Sequence, residues 1–441
     1  MALLELVEDG TRGVFRPLLG RHQSYKRFDQ DFVIAQCNVL AEADFKDAGY
    51  DTCSLDAGWN TNETDEFGRI LYNSTLFDLP TLGNHLHGIG LHMGVYVIPG
   101  FPCDAINKTI KGTNIQLADV WNGNNDGLDY CDFDFSKPGV QEWHDSLLEL
   151  WTSWGVDMIK LDFVTPGSPQ NGANLVTNNS AAVIAYHQAI QNSGHQVRLD
   201  LSWKLCRNDT YYDIWRANAE SMRTDQDIDN YGQNTFIAMQ QVQRAIDNYR
   251  QYITLQTSKN QPLTIHPDMD NLFVGNPQNA TGITDGQRIT VMSHWIGAAA
   301  NLILGSDLTT LDDLGRKLTT STESIAATTF CSEYPMQPRN PGTGDNLAQQ
   351  LQAWISGPSA TGQAIVILTN LGASLGEAGY STTLAGVQEV SISLEDLGIG
   401  FQDCYEVQDV WNGNTSQVLK GQSLFAQLDD GESQMLNLAL C

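Results

Sequence analysis

No stretch of this chain reaches the roughly 18 consecutive apolar residues that a membrane-spanning helix needs, although hydrophobic residues fill 41% of its 441 positions. A helical bilayer span is excluded, and the apolar content is left for sizeable cores. Basic residues are scarce, with 24 Lys and Arg against 52 Asp and Glu, a formal charge of −28. A field of that sign repels phosphate backbones and anionic lipid, so neither nucleic acid nor a membrane is expected as a partner. The 8 cysteines include no Cys-x-x-Cys pair, which speaks against zinc or thioredoxin chemistry. His85, His87 and His92 form no His-x-x-x-His pair tied to a strand-end acid, and no metal or other cofactor is expected. Internal repeats and low-complexity tracts are absent as well.

What the chain does carry points first to a compartment. N-x-Ser/Thr sequons start at Asn62, Asn73, Asn107, Asn178, Asn208, Asn279 and Asn414, mostly in turn-rich segments. With an even cysteine count they predict a secreted eukaryotic glycoprotein. Met1-Ala2-Leu3-Leu4 is too short an apolar start for a secretory leader. A leader is therefore expected to have been removed.

The segment GVDMIKLDFVTPGSP, residues 155–169, is the most informative. An apolar run ends in Lys160-Leu161-Asp162 and breaks at Pro166-Gly167, as when a buried parallel strand delivers a cation and a carboxylate to the rim of a sheet. A surface ion pair at a strand end is the plainer alternative. Further strands are predicted over 52–56, 92–98, 158–162, 197–201, 221–223, 263–266 and 301–304, with a first one near Pro17 to Gly20. Helical spacing marks 140–154, 233–249 and 284–300. Eight strands with intervening helices favour a (β/α)8 barrel over a doubly wound sheet. From about Phe330 the texture turns to short β-rich runs at 352–355, 363–368, 387–393 and 405–410. We expect a barrel over 1–328 and an antiparallel β-sandwich over 329–441, entered through the segment Arg339 to Asp345.

The predicted strands end in acids unusually often: Asp56, Asp162, Asp200, Asp225, Asp227 and Asp268. One Asp after a strand is usually a helix cap or turn residue. Several on one rim repel each other unless the site uses them, and glycoside hydrolysis is the chemistry that most needs paired carboxylates. Trp59 and Trp203, just after their strands, are either sugar-stacking platforms or ordinary core.

In order along the chain, KDAGYDTCSLDAGW, IKLDF, MRTDQDI, HPDMDNLFVGN and HWIGAAANLILGSDL resemble glycoside hydrolase family 27, the melibiase or α-galactosidase family. The likeness covers most of the predicted barrel and implies a (β/α)8 barrel followed by an antiparallel β-domain. It implies Asp162 as nucleophile and Asp227, four residues after Arg223, as acid/base. Asp227 must begin protonated, which asks for a setting poor in cations. Asp225 is a register rival for that role. Lys160, Arg223, Asp56 and Asp268 match sugar-contacting positions, and Ser202 and Trp203 occupy the motif after the fifth strand.

The sequence also departs from the family pattern. The paired acids become Asp56-Ala57, and a tryptophan platform near the first strand reads Gly20-Arg21. The Cys103 to Cys131 segment is longer than usual and could wall the site. Cys37 with Cys53, Cys103 with Cys131 and Cys404 with Cys441 are expected to be bonded. The leading reading is a retaining exo-glycosidase acting on a terminal α-linked sugar of an oligosaccharide or glycoconjugate. The alternatives are a shift to β-L-arabinopyranosides, N-acetylgalactosaminides or isomaltose-type linkages, or an inactive carbohydrate-binding barrel. The lost acid and tryptophan predict poor turnover of simple aryl α-galactosides.

Overall fold

The computed structural model describes residues 2–6, 14–15, 26–168, 173–230, 233–259, 263–339 and 345–441. Eight parallel strands follow one another around a barrel: β1 (Ala2–Leu6), β2 (Tyr50–Leu55), β3 (His92–Val97), β4 (Val156–Leu161), β5 (Arg198–Leu201), β6 (Ser221–Arg223), β7 (His266–Asp268) and β8 (Leu302–Leu304). β1 pairs with β8, and a parallel bridge from Leu272, just past β7, to Leu304 closes the ring. β2 and β4 are each buried at five of their six positions because the strands of a parallel barrel are covered on both faces.

Helices return the chain between strands. Val140–Ser153 buries Trp143, Leu147, Leu148 and Trp151 along one stripe, which is why its apolar residues recur at helical spacing. Asp29, Asp78, Asn208 and Thr284 each cap a helix N-terminus with a side-chain oxygen. Three sequence expectations shift, the first being the helix expected over 233–249, which runs Met239–Ser258. The first strand is Ala2–Leu6, while the expected one near Pro17 to Gly20 lies in 16–25, outside the described residues, Gly20-Arg21 included. The seventh strand sits at His266–Asp268 rather than 263–266, because Pro267 is tolerated in so short a strand.

The C-terminal part is antiparallel. One sheet runs in the order β9 (Gln337–Arg339), β10 (Leu351–Ser356), β11 (Ala364–Asn370), β16 (Glu432–Leu440), β13 (Cys404–Asp409), β14 (Thr415–Leu419). The other pairs β12 (Gln388–Ser393) with β15 (Ser423–Leu428). The two sheets enclose their own core, which includes Val366, Leu368, Val390, Ile392, Tyr405 and Leu438. The position expected to divide the two parts, 328/329, falls inside the helix Thr322–Glu333, and residues 340–344 of the expected linker lie outside the described residues. The sandwich is locked to the barrel by Trp411 Nε1 donating to Ser293 Oγ at 2.8 Å, Tyr249 OH to the Met336 carbonyl at 2.9 Å, and Gln243 Nε2 to the Leu371 carbonyl at 2.8 Å.

All three expected disulfides are present: Cys37–Cys53, Cys103–Cys131 and Cys404–Cys441. Cys206 and Cys331 are free thiols. No helix among the described residues is long and apolar enough to cross a membrane.

Candidate active site

Side chains two apart on a strand share a face, so Lys160 and Asp162 project to the same side of β4. Register carries that row sideways: Lys160 lies level with Tyr96 of β3 and with Asp200 of β5, and Asp200 lies level with Ser221 of β6. One turn of the barrel therefore gathers polar groups from strands far apart in sequence, at the C-terminal end where barrels keep their chemistry.

Asp162 is partly open, yet its Oδ1 is sealed from solvent and has no hydrogen-bond partner among the described residues. Burial pushes its carboxyl above the usual range; Lys160, a hydrogen bond from Ser202, and Arg223 pull it down, while Asp227 pushes it further up. Tyr96 was not anticipated. Its phenol is held well above its ordinary range by burial and by the Asp162 and Asp56 carboxylates, so it stays a neutral hydrogen-bond donor beside Asp162. In the sequence it reads as one more core aromatic of a strand. Lys160 Nζ donates to Asp56 Oδ2 at 2.6 Å and lies 5.8 Å from the Tyr96 ring centre. Asp56 Oδ1 accepts from the Ala57 N–H at 2.6 Å.

Arg223, 2% exposed, is the second cation. It donates to Asp227 Oδ1 at 2.9 Å and to Ser202 Oγ at 3.0 Å, and its Nη2 lies 2.6 Å from Asp270 Oδ2. Asp268 Oδ2 stands 3.7 Å from Arg223 Nε. Burial and then the neighbouring Asp200 raise the Asp268 carboxyl to about 7. Asp200, also pushed up by burial, accepts from Ser221 Oγ. Asp270, the second unforeseen member, follows β7 in a left-handed conformation at φ 72°. Phe163 and Trp203, just past β4 and β5, share that unusual state at φ 54° and 77°, and such backbone strain concentrates at functional sites.

Of the expected site residues, Asp162, Asp227, Asp56, Lys160, Ser202, Arg223 and Asp268 thus come together. Two do not, and the environment expected of a third differs. Trp59 is fully buried, packed edge-on against Trp151 with 5.8 Å between ring centres, and its Nε1 donates to the Tyr96 carbonyl at 2.7 Å. It is core, not a sugar platform. Asp225 turns away from the site: Arg244 Nε reaches its Oδ2 at 2.9 Å and Asn248 Nδ2 its Oδ1 at 2.8 Å, which fastens the loop to the helix Met239–Ser258. Asp227 was expected away from cations, yet it is paired with Arg223, and its side chain is 70% exposed. Trp203 does lie at the rim, stacked on Phe163 at 4.3 Å with its Nε1 on the Ser168 carbonyl at 3.0 Å.

The long third loop stands on the same rim. Phe101–Pro102, Trp121–Asn125 and Tyr130–Phe133 form a small sheet stapled by Cys103–Cys131. Asn174, from the loop after β4, donates to Asn124 Oδ1 at 2.9 Å and to the Asn125 carbonyl at 3.0 Å. Lys160 and Arg223 stand against six acidic side chains, Asp56, Asp162, Asp200, Asp227, Asp268 and Asp270, so acid is in excess at this rim. Such an excess suits a transition state that gathers positive charge on a sugar ring.

The deciding comparison is with known sequences. A relative from Emericella nidulans, provisionally named alpha-galactosidase 8, is 48% identical over 373 residues, covering 84% of this chain and 74% of its own. The chain belongs to the α-galactosidase, or melibiase, family. Within that family, Alpha-galactosidase 3 of Hypocrea jecorina is 57% identical over 417 residues; the match takes in 94% of this chain but only 66% of that relative's length. Residues 23–136 match the alpha galactosidase A model and residues 348–438 the alpha galactosidase C-terminal β-sandwich model. Among solved structures, a family 27 β-L-arabinopyranosidase from Geobacillus stearothermophilus superposes with a TM-score of 0.77 at 20% identity, covering 99% of this chain and 95% of that one. Alpha-galactosidase I of Mortierella vinacea gives 0.64 at 17% identity, with 93% and 92% covered. The melibiase architecture of barrel and β-sandwich is shared by both.

Proposed function

We propose that this melibiase-family chain is a secreted retaining exo-glycosidase that removes a terminal α-linked galactose-type sugar from an oligosaccharide or glycoconjugate. One observation carries the reading: Asp162 is a partly open carboxyl under the charge of Lys160 and Arg223, while Asp227, paired with the same Arg223, faces solvent. Asp162 attacks the anomeric carbon as the glycosidic C–O bond breaks, and Asp227 gives its proton to the departing oxygen. Water, deprotonated by Asp227, then attacks the same carbon and releases Asp162, so configuration is retained. The Tyr96 hydroxyl, donating to Asp162, holds it in place, and the charge of Lys160 favours its ionised form.

Asp227 begins beside a cation, which does not suit a proton donor. Arg223 can release it, because Asp270 and Ser202 continue to hold the guanidinium. An aglycone lying over Asp227 removes water from the carboxylate and favours the neutral acid. Proton magnetic resonance of the first-formed sugar tests the reading: the α-anomer appears before mutarotation if it is right, the β-anomer if the enzyme inverts.

A shifted specificity is the second reading, favoured by Ala57, where a methyl group stands in place of an acid. Asp56 has one oxygen on Lys160 and the other on the Ala57 N–H, so it does not reach out to cover the missing acid. Galactose would lose one acceptor and β-L-arabinopyranose, without the exocyclic carbon, would lose less. Relative kcat/KM on aryl α-galactoside, aryl β-L-arabinopyranoside and aryl N-acetyl-α-galactosaminide separates the readings. Secretion draws support from the three disulfides and from the sequon asparagines, none of which is buried.

A further inference from the structure

The opposite end of the barrel carries a cluster that the glycosidase reading does not use. His92 opens β3, Asp157 is the second residue of β4, and His87 closes the helix Leu79–Gly88 that precedes β3. All three therefore meet at the N-terminal face, away from the catalytic rim. His87 Nε2 lies 2.8 Å and His92 Nδ1 3.4 Å from the same Asp157 oxygen, Oδ2, and one ligand atom from each residue falls within 4.8 Å of the other two. Zinc bound at about 2.0–2.1 Å in a tetrahedron separates neighbouring ligand atoms by about 3.3 Å. The two distances to Asp157, 2.8 and 3.4 Å, lie on either side of that value.

The approach is built into the chain. A Cβ on Gly83 would come within 2.1 Å of the Trp154 carbonyl oxygen, and one on Gly155, at φ +90°, within 3.1 Å of His87 Cε1. Glycine at both positions lets the helix end settle against the start of β4. The Met93 N–H donates to Asp157 Oδ2 at 3.0 Å and fixes the carboxylate, the kind of support that orients a metal ligand. His92 and Asp157 also line a cleft of about 540 Å³ with His187, His195, Arg198 and Glu220, which gives these two side chains a path from solvent.

We propose that His87, His92 and Asp157 form a binding site for a borderline divalent metal ion of the zinc class. Two imidazoles with one carboxylate select zinc, cobalt, nickel or copper over calcium and magnesium, which require more oxygen ligands. Bound there, the ion ties the second barrel helix to two neighbouring strands and clamps the base of the barrel. The plainer account is an aspartate accepting from two imidazoles with no metal.

Isothermal titration of zinc chloride into chelator-treated, dialysed protein at pH 7.5 distinguishes them. We expect a saturable one-to-one isotherm, a rise in Tm on adding zinc, and the visible absorption of four-coordinate cobalt when cobalt replaces it. His92→Ala and His87→Ala, both at partly exposed positions, should each weaken binding by at least about 10-fold, as losing even a supporting group does. His85→Ala, on the same helix but outside the cluster, should leave binding unchanged. Circular dichroism confirms that each variant is folded. Absence of one-to-one binding, or binding that survives His92→Ala and His87→Ala unchanged, overturns the site.

Discussion

Lys160 Nζ donates to Oδ2 of Asp56 at 2.6 Å, joining the C-terminal ends of the fourth and second barrel strands across 104 residues of sequence. Both side chains are nearly buried, so the pair orients the lysine and neutralises it at once. Removing one partner of such a pair leaves a charge in a setting that cannot solvate it, and typically destabilises by about 3–5 kcal/mol. Asp56→Ala should lower stability by that order in urea unfolding, with kcat/KM falling as well. Asp56→Asn keeps an acceptor and should lose less stability.

The two neighbouring aspartates can be told apart by leaving group. Asp227→Asn should barely change Tm, since the side chain is mostly exposed. Its turnover should fall by about 10²–10⁴-fold on natural linkages but far less on activated aryl glycosides, which need no proton. Asp225→Asn removes the charge paired with Arg244, and should lower Tm and depress both substrate types alike. Rates on two aryl glycosides of different leaving-group pKa, with a melting curve for each variant, decide between them.

Trp59 and Trp203 divide in the same way. Trp59→Ala opens a hole in the core and should destabilise by about 3–5 kcal/mol. Trp203→Ala, at the rim, should raise KM for oligosaccharides with a much smaller change in unfolding free energy. A Trp59→Ala protein with normal stability and raised KM would reverse the assignment.

Stability should also depend on pH in a definite direction. Burial raises Asp268 to about 7 and Asp126 to about 6 and shifts Asp200 the same way. The folded state then holds protons that the unfolded chain has released between about pH 4 and 7. Stability from these groups is complete below the unfolded carboxylate range and is lost as pH rises through 6 and 7. The pairs holding Asp51 and Asp312 low work the other way near pH 4 and below, and His144 and His294, which burial lowers to about 4, work the other way as pH falls from about 6.5. Removing one group isolates its share: the Tm of Asp126→Asn minus that of the parent protein should rise between pH 5 and pH 8, because only the parent loses the stability that the Asp126 proton supplies.

Much of the barrel was legible because buried parallel strands are short apolar runs and because Lys160 and Asp162, two apart, must share a face. The sandwich strands at 351–356, 364–370, 388–393 and 404–409 match their predicted positions to within two residues at either end, set off by Gly, Asn and Asp turns. What stayed hidden depended on partners distant in sequence. Asp225 and Asp227 differ only in which way a loop turns, and that is settled by Arg244 and Asn248 on a helix further along. Tyr96 belongs to the site through register with Lys160, and Asp270 through a left-handed turn after a strand. The first strand was expected near Pro17 to Gly20, because Ala2–Leu6 is a short run whose place in the barrel comes only from pairing with Tyr50–Leu55 and Leu302–Leu304. His87, His92 and Asp157 lacked a motif since the third member lies 65 residues beyond the second.

The central claim is that Asp162 forms a covalent bond to the sugar. The enzyme should be incubated with a fluorinated analogue of whichever aryl glycoside it turns over, chosen so that the glycosyl-enzyme forms but hydrolyses slowly. Proteolysis and mass spectrometry then locate the label. We expect one added sugar per chain, on the peptide containing Lys160-Leu161-Asp162 and at Asp162 itself, and no label on Asp162→Asn. A stable adduct on Asp227, Asp268 or any other residue, or time-dependent inactivation with no sugar attached, would contradict it.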